Sequence, residues 1–228
     1  MKTIKLFLTV CLLAAVTTAS AQFANSGNAG TPKSPNTGGG LYRDTSPYGH
    51  LWVGYTPIKI APDSGKDRDM AGFSVGYLQG ISVSSSLPVF IEIGALASYN
   101  FDKEDDDFFT LKASLISATV PVNVAYKLSF DGGKIALTPY IGLKGRVNIS
   151  GTNKFLYDDD YYDDEKVNWF KKDDMGEGVC KRFQAGWQIG IGFSFNKFYL
   201  GVGYGSDFSE FSKKTKIHTT TVSIGLNF

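Results

Sequence analysis

The sequence predicts an all-β fold, an eight-stranded antiparallel up-and-down transmembrane β-barrel. Three observations predict it. Long segments alternate strictly between apolar residues and small polar ones, which is the period of a strand with two unlike faces. The links between those segments are alternately short and long. The last segment, "KIHTTTVSIGLNF", places Val222, Ile224, Leu226 and Phe228 on alternate positions.

The N-terminal "MKTIKLFLTVCLLAAVTTASA" carries Lys2 and Lys5, an apolar run from Leu6 to Val16, and small residues at Ala19 and Ala21. That pattern is a cleavable export signal over residues 1–21, cut near Ala21/Gln22. Lipidation at Cys11 is the weaker reading, because Val10 stands where a small residue is expected. Residues 22–47 are rich in Gly, Ser, Asn and Pro and are expected to form a flexible periplasmic leader. The barrel domain is assigned to residues 48–228. The 23 basic and 22 acidic side chains nearly balance, which argues against a nucleic-acid partner. Beyond the signal only Cys180 remains, so no internal disulfide can form. No later run approaches the ~20 apolar residues of a spanning helix.

From His50 the pattern is β-like throughout, with strands expected over 50–60, 71–83, 88–101, 110–128, 134–149, 181–195, 198–206 and 214–228. The clearest is "FQAGWQIGIGFSFN", with Phe183, Trp187, Ile189, Ile191, Phe193 and Phe195 on one face. Phe198, Leu200, Val202 and Tyr204 continue the pattern in the next strand. Leu137, Ile141, Leu143, Val147 and Ile149 oppose Thr138, Gly142, Lys144, Arg146 and Asn148. The fourth strand aligns Val120, Val122, Val124 and Tyr126, and its phase slips near Ile116 and Ser117, which predicts a bulge there. Pro57, Pro121 and Pro139 each remove a ladder donor and are the features least suited to a closed barrel.

The composition of the polar face decides which way the strands turn. A soluble barrel would cover it with charged residues, but here it is mostly Gly, Ser, Thr, Asn and Gln. Small side chains suit the inside of a narrow barrel, so the apolar face points to lipid. The short links "SSSLP", "DGG" and "NK" then lie at the periplasmic end, and the longer polar links outside.

The stretches "GYLQGISVSSSLPVFIEIGALASYNF", "ATVPVNVAYKLSF" and "KIALTPYIGLKGRVNI" resemble the outer-membrane β-barrel family common in Bacteroidetes and related to the PorT-like proteins. The resemblance covers about residues 50–228. It implies location in the cell outer membrane, contact with outer-membrane lipid and lipopolysaccharide, and delivery by the barrel assembly machinery, which reads a C-terminal strand like the one ending at Phe228. It does not supply an activity.

An eight-stranded barrel is filled by its own side chains, so a wide pore is not expected. Glu92, Lys127, Lys144, Arg146 and Arg182 should point inward by parity and form an internal ion-pair and hydrogen-bond network; a small ion path along Glu92 and Arg146 is the alternative. Trp52, Tyr55, Tyr77, Tyr99, Tyr126, Trp187, Phe195, Phe198 and Tyr204 are expected in interfacial girdles. The acidic loops at 102–107 and 158–165 are expected to be solvated, with hard-cation binding as a weaker reading. The interleaved Tyr161, Tyr162, Trp169 and Phe170 suit contact with an unidentified surface protein or glycan. A lipid-A-modifying enzyme would draw on His218, Thr220, Ser206 and Asp207 or Glu210, although a threonine stands where that pattern places a serine. The sequence therefore assigns no catalytic, cofactor-binding or metal-binding residue and no cofactor, and predicts a non-enzymatic structural or surface-interaction role.

Overall fold

The computed structural model describes residues 43–105, 109–157, 165–171 and 180–228. The export signal, most of the leader, the end of the first acidic segment and nearly all of the second lie outside the described residues. The strands are β1 (Tyr48–Tyr55), β2 (Ile58–Pro62), β3 (Arg68–Ser82), β4 (Val89–Asp105), β5 (Phe109–Tyr126), β6 (Leu128–Phe130), β7 (Ile135–Tyr157), β8 (Glu165–Asn168), β9 (Phe183–Phe195), β10 (Phe198–Asp207) and β11 (Thr215–Asn227).

These strands close into a ring. β1 pairs with β11 on one side and β3 on the other, and β2 does the same further along. β1 and β2 are thus one wall strand interrupted at Thr56–Pro57. β6 prolongs β5 along β7, and β8 pairs only with an extension of β7. Eight antiparallel wall strands remain, in up-and-down order. Closure leaves no free edge, and Gly49 and Phe228 seal the seam through reciprocal backbone bonds of 2.9 and 3.1 Å.

The three prolines are accommodated locally. Pro57 sits at the break in the first wall strand, where its carbonyl still accepts from Thr220 N–H at 3.1 Å. The β4–β5 ladder passes through Ile93↔Val122 and resumes at Leu96↔Thr119, so it opens opposite Pro121. Pro139 keeps its register against Ile191. The bulge falls at Ile116/Ser117 as the sequence suggests, but the extra residue belongs to the neighbouring strand. Ile116 faces Ser150 and Ser117 faces Asn148, which leaves Ile149 of β7 unopposed. The alternation of β5 continues unbroken, with Leu115 and Ser117 buried and Ile116 exposed.

Parity then sorts the two surfaces. Val53, Val75, Val124, Leu143, Val202 and Ile224 are all half exposed or more, and similar residues continue around the whole wall. So continuous an apolar belt far exceeds the patches that water-soluble proteins expose. The inside is polar: Ser74, Ser98, Ser117, Thr119, Asn123, Thr138, Asn148, Gln184 and Ser223 are buried there. Polar within and apolar without is the arrangement of a transmembrane β-barrel, in which every backbone group is paired before it meets lipid. Among the described residues no helix is long and apolar enough to cross a membrane.

Two aromatic belts edge the apolar band. At the long-loop end Tyr55, Phe73, Phe101 and Tyr99 form a chain of ring contacts, and Trp187 packs on Tyr204. At the short-turn end Tyr77 stacks on Phe228, near the exposed Tyr126, Phe195 and Phe198. Trp52 departs from the girdle expectation. It shares parity with buried His50 and lies over Gly76, where an added Cβ would come within 2.6 Å of its ring. A tryptophan fits inside so narrow a barrel because the facing residue has no side chain.

Candidate functional site

The barrel interior is the candidate site, and it has three layers. The layer at the long-loop end is apolar. Met70, Leu115 and Ile217 point inward from the wall and pack with Ile58, Ala113, Trp169 and Phe211. Backbone bonds hold the cap in place: Trp169 N–H donates to Gly151 O at 3.0 Å, and Lys181 N–H to Phe211 O at 2.6 Å. Cys180 packs against this cluster, and burial pushes its thiol up to about 11.

The middle layer holds the strongest charges. Lys144 and Arg146 project from β7, and Asp207 from the end of β10. Lys144 Nζ is 3.1 Å from one carboxylate oxygen of Asp207, and Arg146 Nη1 is 3.3 Å from the other. Side-chain exposures are 4%, 5% and 1% for Lys144, Arg146 and Asp207. Arg146 Nη2 also donates to Thr219 Oγ1 at 2.5 Å, and Lys144 to the same oxygen at 3.3 Å. Two cations thus share one carboxylate and one hydroxyl.

Nearer the short turns, Glu92 accepts from Tyr48 O–H at 2.8 Å and from Asn123 Nδ2 at 2.9 Å. Asn123 Oδ1 in turn accepts from Gln188 Nε2 at 2.7 Å. Tyr140 and Tyr199 fill the space beside them, over Gly190, Gly203, Gly192 and Gly201. This is why the inward row is so rich in glycine: each missing side chain leaves room for a ring from the same or a nearby strand.

The five charges expected inside therefore separate. Glu92, Lys144 and Arg146 occupy the interior. Lys127 lies at the short-turn mouth, 2.6 Å from Asp44 and over the Tyr48 ring. Arg182 lies at the opposite end, stacked over Phe170 and donating to the Asn148 and Ile149 carbonyls. Burial works against ionised Asp44, yet Lys127 and the Ser46 N–H hold its carboxyl below the usual range.

The sequence alone groups Asp207, the partner of both central cations, with His218. The signal that places it correctly is parity along β10, where Tyr199, Gly201, Gly203 and Gly205 already face inward. His218 is on the lipid-facing row of β11, with Tyr204 O–H 3.1 Å from its Nδ1. The barrel wall separates it from Asp207, and Glu210 pairs instead with Lys181 at 3.6 Å. Residues 102–105 of the first acidic segment, expected as loop, continue strand β4, and Asp102 binds Arg68 at 2.8 Å; residues 106–108 and 158–164 lie outside the described residues.

These features define a small transmembrane β-barrel with a filled, charged interior. No family model matches the chain, and no curated protein matches it. Among solved structures it is similar to Ail, the attachment invasion locus protein of Yersinia pestis, at 14% identity over 79% of this chain and 98% of that one, with a TM-score of 0.46. It is also similar to Neisserial surface protein A, at 13% identity over 78% and 95% of the two chains with a TM-score of 0.39. A third is the outer membrane enzyme PagL, at 11% identity over 80% and 99% with a TM-score of 0.37.

Proposed function

We propose that this chain is an outer-membrane barrel of the PorT-like kind that carries a folded recognition surface on the cell exterior, with a structural or surface-interaction role. The observation that supports this most is the asymmetry of the two ends. At one end the strands are joined by the short links around Ser84–Leu87, Asp131–Lys134 and Asn196–Lys197. At the other, β4, β5 and β7 run on beyond the aromatic belt, β8 adds to them, and the apolar cap fixes their bases. Building so much structure past the membrane suits contact with another macromolecule through the acidic and aromatic loops, a surface protein or a glycan. The interior is closed by side chains at this end, which suits an anchor better than a pore.

The lipid-facing wall would contact outer-membrane lipid. Lys112 and Lys216 point outward at the loop end, where they would meet the phosphates of lipopolysaccharide. The alternating strand that ends at Phe228 would be read by the barrel assembly machinery. A peptide tag inserted between Asp160 and Tyr161 tests the orientation. Antibody binding to intact cells supports the proposal, and binding only after lysis refutes it.

A further inference from the structure

Lys144 and Arg146 are two residues apart on β7, so the strand sends both into the same part of the barrel. Asp207 is the one carboxylate within ion-pairing distance of either among the described residues. The other buried interior carboxylate, Glu92, has its oxygens occupied by Tyr48 and Asn123. The central layer therefore holds one positive charge in excess, in a place where uncompensated charge is costly.

A cavity of about 50 Å³ lies against these cations, lined by Lys144, Arg146, Thr219, Thr221, Gln188 and Tyr140 among others. That volume exceeds the roughly 10–15 Å³ needed for one water. The charged side chains in its wall are both cations. Lys144 carries three N–H groups and Arg146 five, and their bonds to Asp207 and Thr219 leave several over. We propose that this cavity is a binding site for a small monovalent anion of the halide class, held between Lys144 and Arg146. The anion restores neutrality that Asp207 alone does not provide, and it does so without any residue of the acidic loops.

The test is thermal unfolding of the folded protein in detergent, in sodium chloride and in sodium gluconate at equal ionic strength. The expected result is a midpoint several degrees higher in chloride, rising to saturation with concentration and reproduced by bromide. Equal midpoints in the two salts would overturn the proposal, as they would if Lys144 were simply neutral. Lys144→Met keeps the apolar stem and removes the charge, so its chloride and gluconate midpoints should coincide; an undiminished chloride gain overturns the proposal. If that variant does not fold, wild-type crystals grown in bromide give an independent readout. An anomalous peak between Lys144 and Arg146 supports the site, whereas peaks on the outer surface alone would mean an adventitious ion only and overturn it.

Discussion

Replacing Asp207 by Asn preserves the shape of the side chain and removes the negative charge that Lys144 and Arg146 share. At separations of 3.1 and 3.3 Å, each pair is worth about 5 kcal/mol of Coulomb energy at an effective dielectric near 20. Relief from burying the carboxylate returns several kcal/mol. The difference is a net loss of about 3–5 kcal/mol, the range found when one member of a buried ion pair is removed. Urea unfolding of the protein in lipid vesicles, read by the gel mobility of unheated samples, measures it. The double variant Asp207→Asn with Lys144→Met should recover part of the loss, because one uncompensated cation goes as well. A stability for Asp207→Asn within about 0.5 kcal/mol of wild type would refute the assignment of this cluster to the buried interior.

Three further perturbations test other parts of the account. Ile224→Arg places a charge on a lipid-facing position that is 57% exposed and should cost about 2–4 kcal/mol near the membrane midplane; an undiminished yield of inserted protein would mean the faces are reversed. Gly203→Val puts methyl groups where the Tyr140 hydroxyl already lies 2.6 Å from an ideal Cβ, an overpacking that should cost about 1–3 kcal/mol and be eased by Tyr140→Phe in an unfolding titration. Cys180, with its thiol raised to about 11, should have a thiolate fraction on the order of 0.1% at pH 8. Maleimide should therefore label it slowly in the folded protein and quickly after denaturation, while a cysteine at exposed Lys213 labels at once.

The wall of this barrel was legible in the sequence because each strand carries its own two-residue period, and one short window fixes which residues face lipid. The place of the bulge at Ile116/Ser117 was anticipated, but the alternation of that strand is unbroken; a register shift belongs to a pair of strands, and a single strand's pattern could not show that Ile149 is the extra residue. Trp52 was misplaced because aromatic residues near strand ends usually mark the interface; the deciding fact is the absence of a side chain at Gly76, its partner on the neighbouring strand. The central charge cluster was half legible. Parity gave Lys144 and Arg146, but Asp207 lies at the end of its strand, where alternation is weakest, and a nearby histidine offered a competing partner. The apolar cap was not legible, since Met70, Leu115, Trp169, Phe211 and Ile217 come from distant segments and share no period.

The most direct test of the central claim is a nitroxide scan along Thr221–Leu226 in vesicles, in a Cys180→Ser background, comparing collision with lipid-soluble oxygen and with a water-soluble nickel chelate. Labels at Val222, Ile224 and Leu226 should collide freely with oxygen, and those at Thr221, Ser223 and Gly225 should not. Reversed alternation, or uniform access to the nickel chelate, would contradict a barrel that is apolar outside and polar within.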